Sequence, residues 1–303
     1  MNKIMAHNHS LVNSNSTGSR LIITMLLNFV ITIAEIIGGI LSGSLSLISD
    51  ALHNFSDGIA VIISYFAIQL KKKPNTEKHT FGFKRAEILA ALINAAALVA
   101  ISIYLFYESI IRLISPQEVE GGLMTLVAAI GLLANVIGTV LLKRDSGSSL
   151  NIKSAYLHLL SDAVSSAAVI AGGIAIYFFR IYWLDPILTI IISIYVLKES
   201  FEIVTNTLHV LMEGTPPNIS MEKVKKLVEQ IDGVVDIHHL HIWTVGEDDI
   251  HLEAHVNINN MLTEESDSLR MKIEKLLHEN FNIHHSTIQF ECGVCETKTL
   301  IKN

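Results

Sequence analysis

The sequence predicts an α-helical membrane protein with six transmembrane helices and a small C-terminal α+β domain. Half of its 303 residues are apolar and only 17% are charged. In a water-soluble domain, about a quarter of all residues are charged. Apolar runs of roughly 20 residues recur through the first 210 positions. These observations exclude an ordinary soluble enzyme, a disordered regulator and a secreted disulfide scaffold.

Six segments are long enough to cross a bilayer of about 30 Å at a rise of about 1.5 Å per residue. They cover residues 20–42, 46–70, 86–111, 122–142, 154–179 and 186–209. We therefore expect a transmembrane domain over 20–210, with the lipid bilayer as its surroundings. The N-terminus, 1–19, is polar, has no signal-peptide pattern and is expected to lie in the cytoplasm.

The distribution of positive charge predicts the orientation of the helices. The loop 71–85 carries six lysines and arginines, and the loop 143–153 carries three, whereas the alternate loops carry one at most. Basic loops remain on the cytoplasmic side of a membrane. We therefore expect a multi-pass protein of the cell membrane with both termini in the cytoplasm.

The motif Gly214-Thr215-Pro216-Pro217 ends the last span. We expect residues 211–303 to form a cytoplasmic domain. Hydrophobic periodicity predicts helices and strands in the order α-β-β-α-β, which is typical of a ferredoxin-like sandwich. The elements are Ser220–Ile231, Val234–Val245, Ile250–Ile258, Thr263–Asn280 and Ser286–Glu291, with Ser220 as the first N-cap. This tail has sixteen acidic residues against eight basic ones, so nucleic acid is not an expected partner.

Two spans carry the same pair of ionisable residues at the same spacing. His53 and Asp57 lie in the second span, and His158 and Asp162 lie in the fifth. Residues four apart share one helix face, and ionisable residues inside a membrane usually have a function. Two imidazoles and two carboxylates suit tetrahedral Zn²⁺, while Mg²⁺ and Ca²⁺ prefer six or more oxygens. Cobalt, nickel, iron and manganese remain compatible, and interhelical hydrogen bonding is the alternative role for these residues.

Three further acids lie within the spans. Asp50 shares the helix face of the second-span pair, so we expect it to support the ligands or to line the access path. Glu35 and Glu108 have no matched partner in the sequence. We therefore expect them to matter less.

With these motifs identified, the chain resembles the cation diffusion facilitator family, and in particular its zinc-exporting branch. The resemblance covers nearly the whole chain. Beside the two His–Asp pairs, it rests on Ser49-Asp50-Ala51-Leu52-His53, His79-Thr80-Phe81-Gly82-Phe83-Lys84-Arg85, Leu211-Met212-Glu213-Gly214-Thr215-Pro216 and His239-Leu240-His241-Ile242-Trp243.

The resemblance implies a homodimer with a metallochaperone-like cytoplasmic domain. It implies export of divalent metal ions in exchange for protons through His53, Asp57, His158 and Asp162. Some relatives have Asp at the position of His53, and the His found here favours zinc over cadmium. The absence of an ATP-binding GxxxxGK[ST] loop agrees with a proton-driven exchange.

The resemblance also implies bound zinc in the tail, as a structural or regulatory ion. The implied ligands are His238, His255 and Glu291. Strand alternation places His239 and His241 on one face and His238 on the other. The alternative is that the tail histidines simply face solvent.

Two further metal sites are candidates. Members of the family have a loop site at the position of His79, but here Phe83 replaces the second histidine of that site, which weakens it. Cys292 and Cys295 form a single CxxC that could bind zinc. Reduced cytosolic thiols are the alternative.

Two other function classes compete with transport. An intramembrane zinc hydrolase keeps an open coordination position and a general base, often in an HExxH motif, and this chain has none. A membrane metal sensor would need the tail but not the paired motifs in the spans. We therefore expect a transporter rather than an enzyme.

Overall fold

The computed structural model describes residues 14–143, 150–246, 249–293 and 299–301, without the side chains of 14–27, 141–142, 150–155 and 158. The chain divides into two compact units. One comprises residues 1–61 and 96–201, and the other comprises residues 62–95 and 202–303. Helices that run through residues 61, 95 and 201 therefore contribute to both units.

Six long helices occur in the described part of the chain. They are α1 (Ser14–Ser42), α2 (Leu45–Lys71), α3 (Ala86–Ile114), α4 (Gly121–Lys143), α5 (Leu150–Phe179) and α6 (Leu184–Leu211). Among the described residues, α2 to α5 contain stretches long and apolar enough to cross a membrane, and α1 has a shorter apolar stretch, Asn28–Ser42. The helical membrane domain is confirmed, while spanning by α1 and α6 stays a prediction.

Helix α4 packs against both α1 and α5. At the α4–α5 contact, a Cβ on Gly121 would lie 2.5 Å from the carbonyl oxygen of Gly173. Small residues allow two transmembrane helices to approach this closely, so that dispersion contacts hold them together. Helix α4 thus lies next to one helix that carries a His–Asp pair.

The start of α2 is held by the buried carboxylate of Asp185. Asp185 accepts hydrogen bonds from Ser44 Oγ at 2.7 Å, from the backbone nitrogen of Leu45 at 2.8 Å and from that of Ser46 at 3.1 Å. A carboxylate in this position satisfies unpaired N–H groups and complements the helix dipole. Since Asp185 follows the end of α5, α2 begins where α5 ends, and the two helices are antiparallel.

The tail contains α7 (Met221–Val228), β1 (Val234–Thr244), β2 (Ile250–Ile258), α8 (Thr263–Phe281) and β3 (Ile283–Glu291). Strand β2 lies in the centre of the sheet, antiparallel to β1 and parallel to β3. The side chain of Ser220 caps α7, as expected. The α+β fold and the element order are confirmed, and β3 begins three residues earlier than expected.

Both tail helices pack on one hydrophobic core. Val224 and Val228 of α7, with Ile273 and Leu277 of α8, are almost completely buried. Burying such a side chain contributes about 1.5–3 kcal/mol. This core fixes the sheet whose strands carry the tail histidines.

Candidate metal sites

Helices α2 and α5 are joined by a buried hydrogen-bonded carboxylate. Asp50 is 3% exposed and accepts hydrogen bonds from Ser165 Oγ at 2.8 Å and Ser166 Oγ at 3.3 Å. These bonds fix the register of the two antiparallel helices. Asp50 therefore holds α2 and α5 together, while its role beside the metal ligands stays a prediction.

This register gives the two His–Asp pairs matching heights. His53 on α2 and Asp162 on α5 lie one helical turn from the Asp50 contact. Asp57 and position 158 lie one turn further along the same two helices. The side chain of His158 lies outside the described part of the structure. At about 1.5 Å per residue, His53 and Asp57 lie roughly 12–18 Å from the start of α2, near the middle of a bilayer of about 30 Å.

The described members of the two pairs are not gathered into one coordination sphere. His53 Nε2 lies 3.6 Å from Asp57 Oδ2, and Asp162 is 4% exposed. Within the described residues, the one group of three potential ligands whose binding atoms all lie within 4.8 Å of each other is in the tail. The transmembrane ligand set therefore stays a prediction.

Two acids without a matched partner in the sequence have polar contacts in the structure. Asn54 Nδ2 donates a hydrogen bond of 3.3 Å to Glu35 Oε2. Glu108 lies 3.3 Å from the guanidinium of Arg112, which also donates to the carbonyl oxygen of Gly43 at 2.6 Å. These contacts were not evident from the sequence: Arg112, which pairs with Glu108, also holds the end of α1, and Glu35 contacts the helix that carries the first His–Asp pair.

A second candidate site lies on the sheet of the tail. His238, His239 and His255 have ligand nitrogens within 4.8 Å of one another. Glu291 Oε2 lies 3.2 Å from His238 Nε2, and Glu291 Oε1 lies 2.7 Å from His255 Nδ1. We call these four residues the tail cluster. A tetrahedral zinc ion separates its ligand atoms by about 3.3 Å, so this donor set fits such an ion.

A β-bulge brings His239 into the tail cluster. The pairing of β1 with β2 shifts between His238 and His241, and His239 adopts a φ of 47°. Its backbone nitrogen donates to Thr299 at 3.1 Å instead of to a strand. The bulge adds one residue to β1 and breaks the alternation of faces. The expectation that His238 and His239 face opposite sides is therefore wrong.

Neighbouring groups orient the tail cluster and set its charge. His238 Nδ1 donates to Asp236 at 2.8 Å, and Asp236 is held by Asn257 at 3.0 Å. A carboxylate on one ring nitrogen leaves the other, Nε2, available to a metal. Burial opposes ionisation of Glu291, but His255, Gln289 and His238 together outweigh this and keep the pKa of Glu291 below its usual value. Glu291 is therefore the anionic ligand that a divalent ion needs.

Of the remaining candidates, the two that the structure describes, Cys292 and His79, belong to no cluster of potential metal ligands. Cys292 is exposed and forms no disulfide, and Cys295 lies outside the described residues. His79 is exposed, and its ring centroid lies 4.5 Å from that of Phe83. It borders a cavity of about 500 Å³ whose lining includes Lys78, Lys84 and Arg85. Glu213 also lines this cavity and pairs with Arg85, so the metal site at His79 stays a prediction.

Sequence comparisons place these features in a known family. Residues 21–212 match the cation efflux transmembrane domain, and residues 216–292 match the cytoplasmic domain of cation efflux proteins. The chain is 39% identical over 290 residues to the "Cadmium, cobalt and zinc/H(+)-K(+) antiporter" of Bacillus subtilis, covering 95% of this chain and 92% of that one.

Two other relatives show the same coverage. The chain is 37% identical to the "Metal cation efflux system protein CzcD" of Cupriavidus metallidurans, over 96% of this chain and 91% of that one. It is 35% identical to the "Zinc transporter ZitB" of Escherichia coli, over 96% and 94%. The chain therefore belongs to the cation efflux family, and it is a membrane transporter rather than an enzyme.

Proposed function

We propose that this transporter exports divalent metal ions, chiefly Zn²⁺, from the cytoplasm in exchange for protons. The ions pass through a tetrahedral site of His53, Asp57, His158 and Asp162. The contact of Asp50 with two serines of α5 supports this proposal, because its register gives both His–Asp pairs the same height. In this proposal, the His–Asp motif that is repeated in α2 and α5 supplies one set of four ligands from two helices.

The choice of metal rests on ligand chemistry and on the relatives. Two imidazoles and two carboxylates suit zinc and also accept other first-row metals. Two of the relatives named above are described as transporters of zinc, or of cadmium, cobalt and zinc. Zinc satisfies both arguments, so it is the main substrate in this proposal.

Proton exchange follows from the nature of the ligands. Histidine binds a metal only when it is neutral and aspartate only when it is ionised, so protons and metal compete for one site. Moving a 2+ ion outward against an inside-negative potential costs about 2.3 kcal/mol per charge per 100 mV, and each proton that moves inward offsets one charge. A site that alternately faces each side therefore exchanges metal for protons.

The proposal includes the organisation of the chain. Residues 1–19 form a cytoplasmic N-terminus, residues 20–210 cross the cell membrane six times, and residues 211–303 form the cytoplasmic domain. The basic loops support this orientation. The match of the tail to the cytoplasmic domain of cation efflux proteins supports a homodimer.

The tail cluster would hold a resident zinc ion. His238, His239, His255 and Glu291 provide three nitrogens and one carboxylate, which closes a four-coordinate shell. A closed shell favours a structural or regulatory ion, because transport needs a site that opens. The ion would neutralise negative charge in an acidic domain.

Transport into proteoliposomes tests the proposed function. We expect zinc to enter vesicles that have an acidic lumen, carried by protein whose cytoplasmic face is outside, while protons leave the lumen. Zinc should be transported faster than cadmium, cobalt and manganese. Trapped fluorescent indicators report metal and pH together. Zinc uptake that is insensitive to the pH gradient, or no uptake at all, would contradict the proposal; a hydrolase or a sensor predicts no uptake.

A His53→Asp substitution tests how metal selectivity is set. The ligand set then has one nitrogen and three oxygens, which is harder and more anionic. We expect cadmium or manganese transport to rise relative to zinc, measured as the ratio of initial rates. His284 is an exposed histidine outside the tail cluster. The matched control is therefore His284→Asp, which should keep the wild-type ratio of transport rates. An unchanged ratio in His53→Asp would show that selectivity lies elsewhere.

A further inference from the structure

Glu35 is a buried carboxylate among lipid-facing neighbours. Ile33 and Ile37 are 44% and 54% exposed, whereas Glu35 is 0% exposed and turns towards the other helices. On α4, a Cβ at Gly131 would collide with Glu35 Oε1. The absence of a side chain at Gly131 therefore makes the space that this carboxyl group occupies.

The surroundings of Glu35 disfavour a negative charge. Its Oε2 accepts one hydrogen bond from Asn54, while its buried Oε1 has no hydrogen-bond partner among the described residues. Among the residues that the structure describes, the charged groups that interact with Glu35 are Asp50 on α2 and Asp162 on α5, both acidic. Helix α4 has no titratable side chain from 121 to 142, and α1 has no other from 25 to 42. An ionised carboxylate with one neutral donor and acidic neighbours is very costly in a membrane interior.

Glu35 is also coupled to the proposed transport site. Asn54, which binds it, follows His53 directly in α2, and Asp162 interacts with it electrostatically. A divalent ion bound to the two His–Asp pairs would stabilise a negative charge on Glu35, since opposite charges attract strongly where the dielectric constant is low. Binding of metal would therefore favour loss of a proton from Glu35.

We propose that Glu35 carries one of the protons that are exchanged for metal. In the metal-free protein Glu35 holds a proton. Zinc binding from the cytoplasm releases this proton to the cytoplasm, and zinc release on the other side lets a proton from there replace it. The inference rests on the proposed function and adds a third helix, α1, to the coupling machinery.

Proton release by the full-length protein in detergent tests this role. Zinc is added to weakly buffered wild-type protein at neutral pH, and protons released and zinc bound are counted together. Glu35→Gln, which has nearly the same shape, should release one proton fewer per protomer while binding the same number of zinc ions. Glu108→Gln, at an acid already paired with Arg112, is the matched control and should release the wild-type number.

Infrared difference spectra provide a measurement that needs no variant. Zinc binding to wild-type protein should remove the signal of a protonated carboxyl group. If this signal persists after zinc is bound, the proposal is overturned. An unchanged proton count in folded Glu35→Gln would also overturn the role of Glu35. It would remain consistent with proton exchange through other groups. Zinc binding to wild-type protein without any proton release would overturn the proposed antiport itself.

Discussion

Replacing Asp57 or Asp162 with alanine is expected to abolish metal transport while the fold and the dimer persist. Each substitution removes one of the four proposed ligands, and three ligands would leave a tetrahedral site incomplete. Loss of groups that only support a metal ligand typically costs about 10–100-fold, so loss of a ligand should exceed that range. Initial rates of zinc uptake into proteoliposomes measure the effect.

Two controls separate a ligand from a structural residue. Asp267→Ala removes an exposed aspartate from α8 and should transport at the wild-type rate. Asp50→Asn keeps an acceptor for the α5 serines and should cause an intermediate loss. If the His–Asp pairs were interhelical hydrogen bonds, each would contribute only about 0.6 kcal/mol. Wild-type rates in well-folded Asp57→Ala or Asp162→Ala would then be observed, and the transport site would be refuted.

The elements of the fold follow largely from local sequence patterns. Strand β2 was predicted with its observed bounds, and α8 within one residue of its observed end. Alternation of apolar residues, helical periodicity and a serine N-cap are local signals, since each is set by residues a few positions apart. The order α-β-β-α-β follows from them directly.

The parts of the sites that the sequence missed depend on distant residues. The bulge at His239 is held by Thr299, sixty positions further along the chain, and nothing in the neighbouring sequence requires it. The one local hint is that histidine tolerates a positive φ better than most residues do. The contact between Glu35 and Asn54 joins two helices, so helix periodicity could not reveal it.

The charge of the tail suggests how a metal ion bound in the tail cluster would act. Sixteen acidic residues against eight basic ones make two such domains repel each other in a dimer, most strongly at low salt. A zinc ion in each tail cluster would offset two negative charges in each domain. If the compact pair of tails favours the transporting state, cytosolic zinc and transport become coupled through one equilibrium.

We therefore expect zinc to shorten the distance between the two tails of the full-length dimer. A spin label at Met271→Cys, an exposed position on α8, reports this distance in a background without other cysteines. His238→Ala combined with His255→Ala should abolish the response, because it removes two of the four ligands in the tail cluster. The matched control is His278→Ala with His284→Ala, a pair of neighbouring rings outside the cluster, and it should respond like the parent.

The salt dependence of this distance identifies the cause of the response. If zinc acts by relieving repulsion, raising the salt concentration should shorten the zinc-free distance and reduce the remaining effect of zinc, because exposed charges are screened beyond about 10 Å at 0.1 M. A response equal at low and high salt would indicate that zinc reshapes the sheet itself. A distance that zinc does not change, or a change that persists in the double variant, would mean that the tail cluster does not control the pairing of the tails.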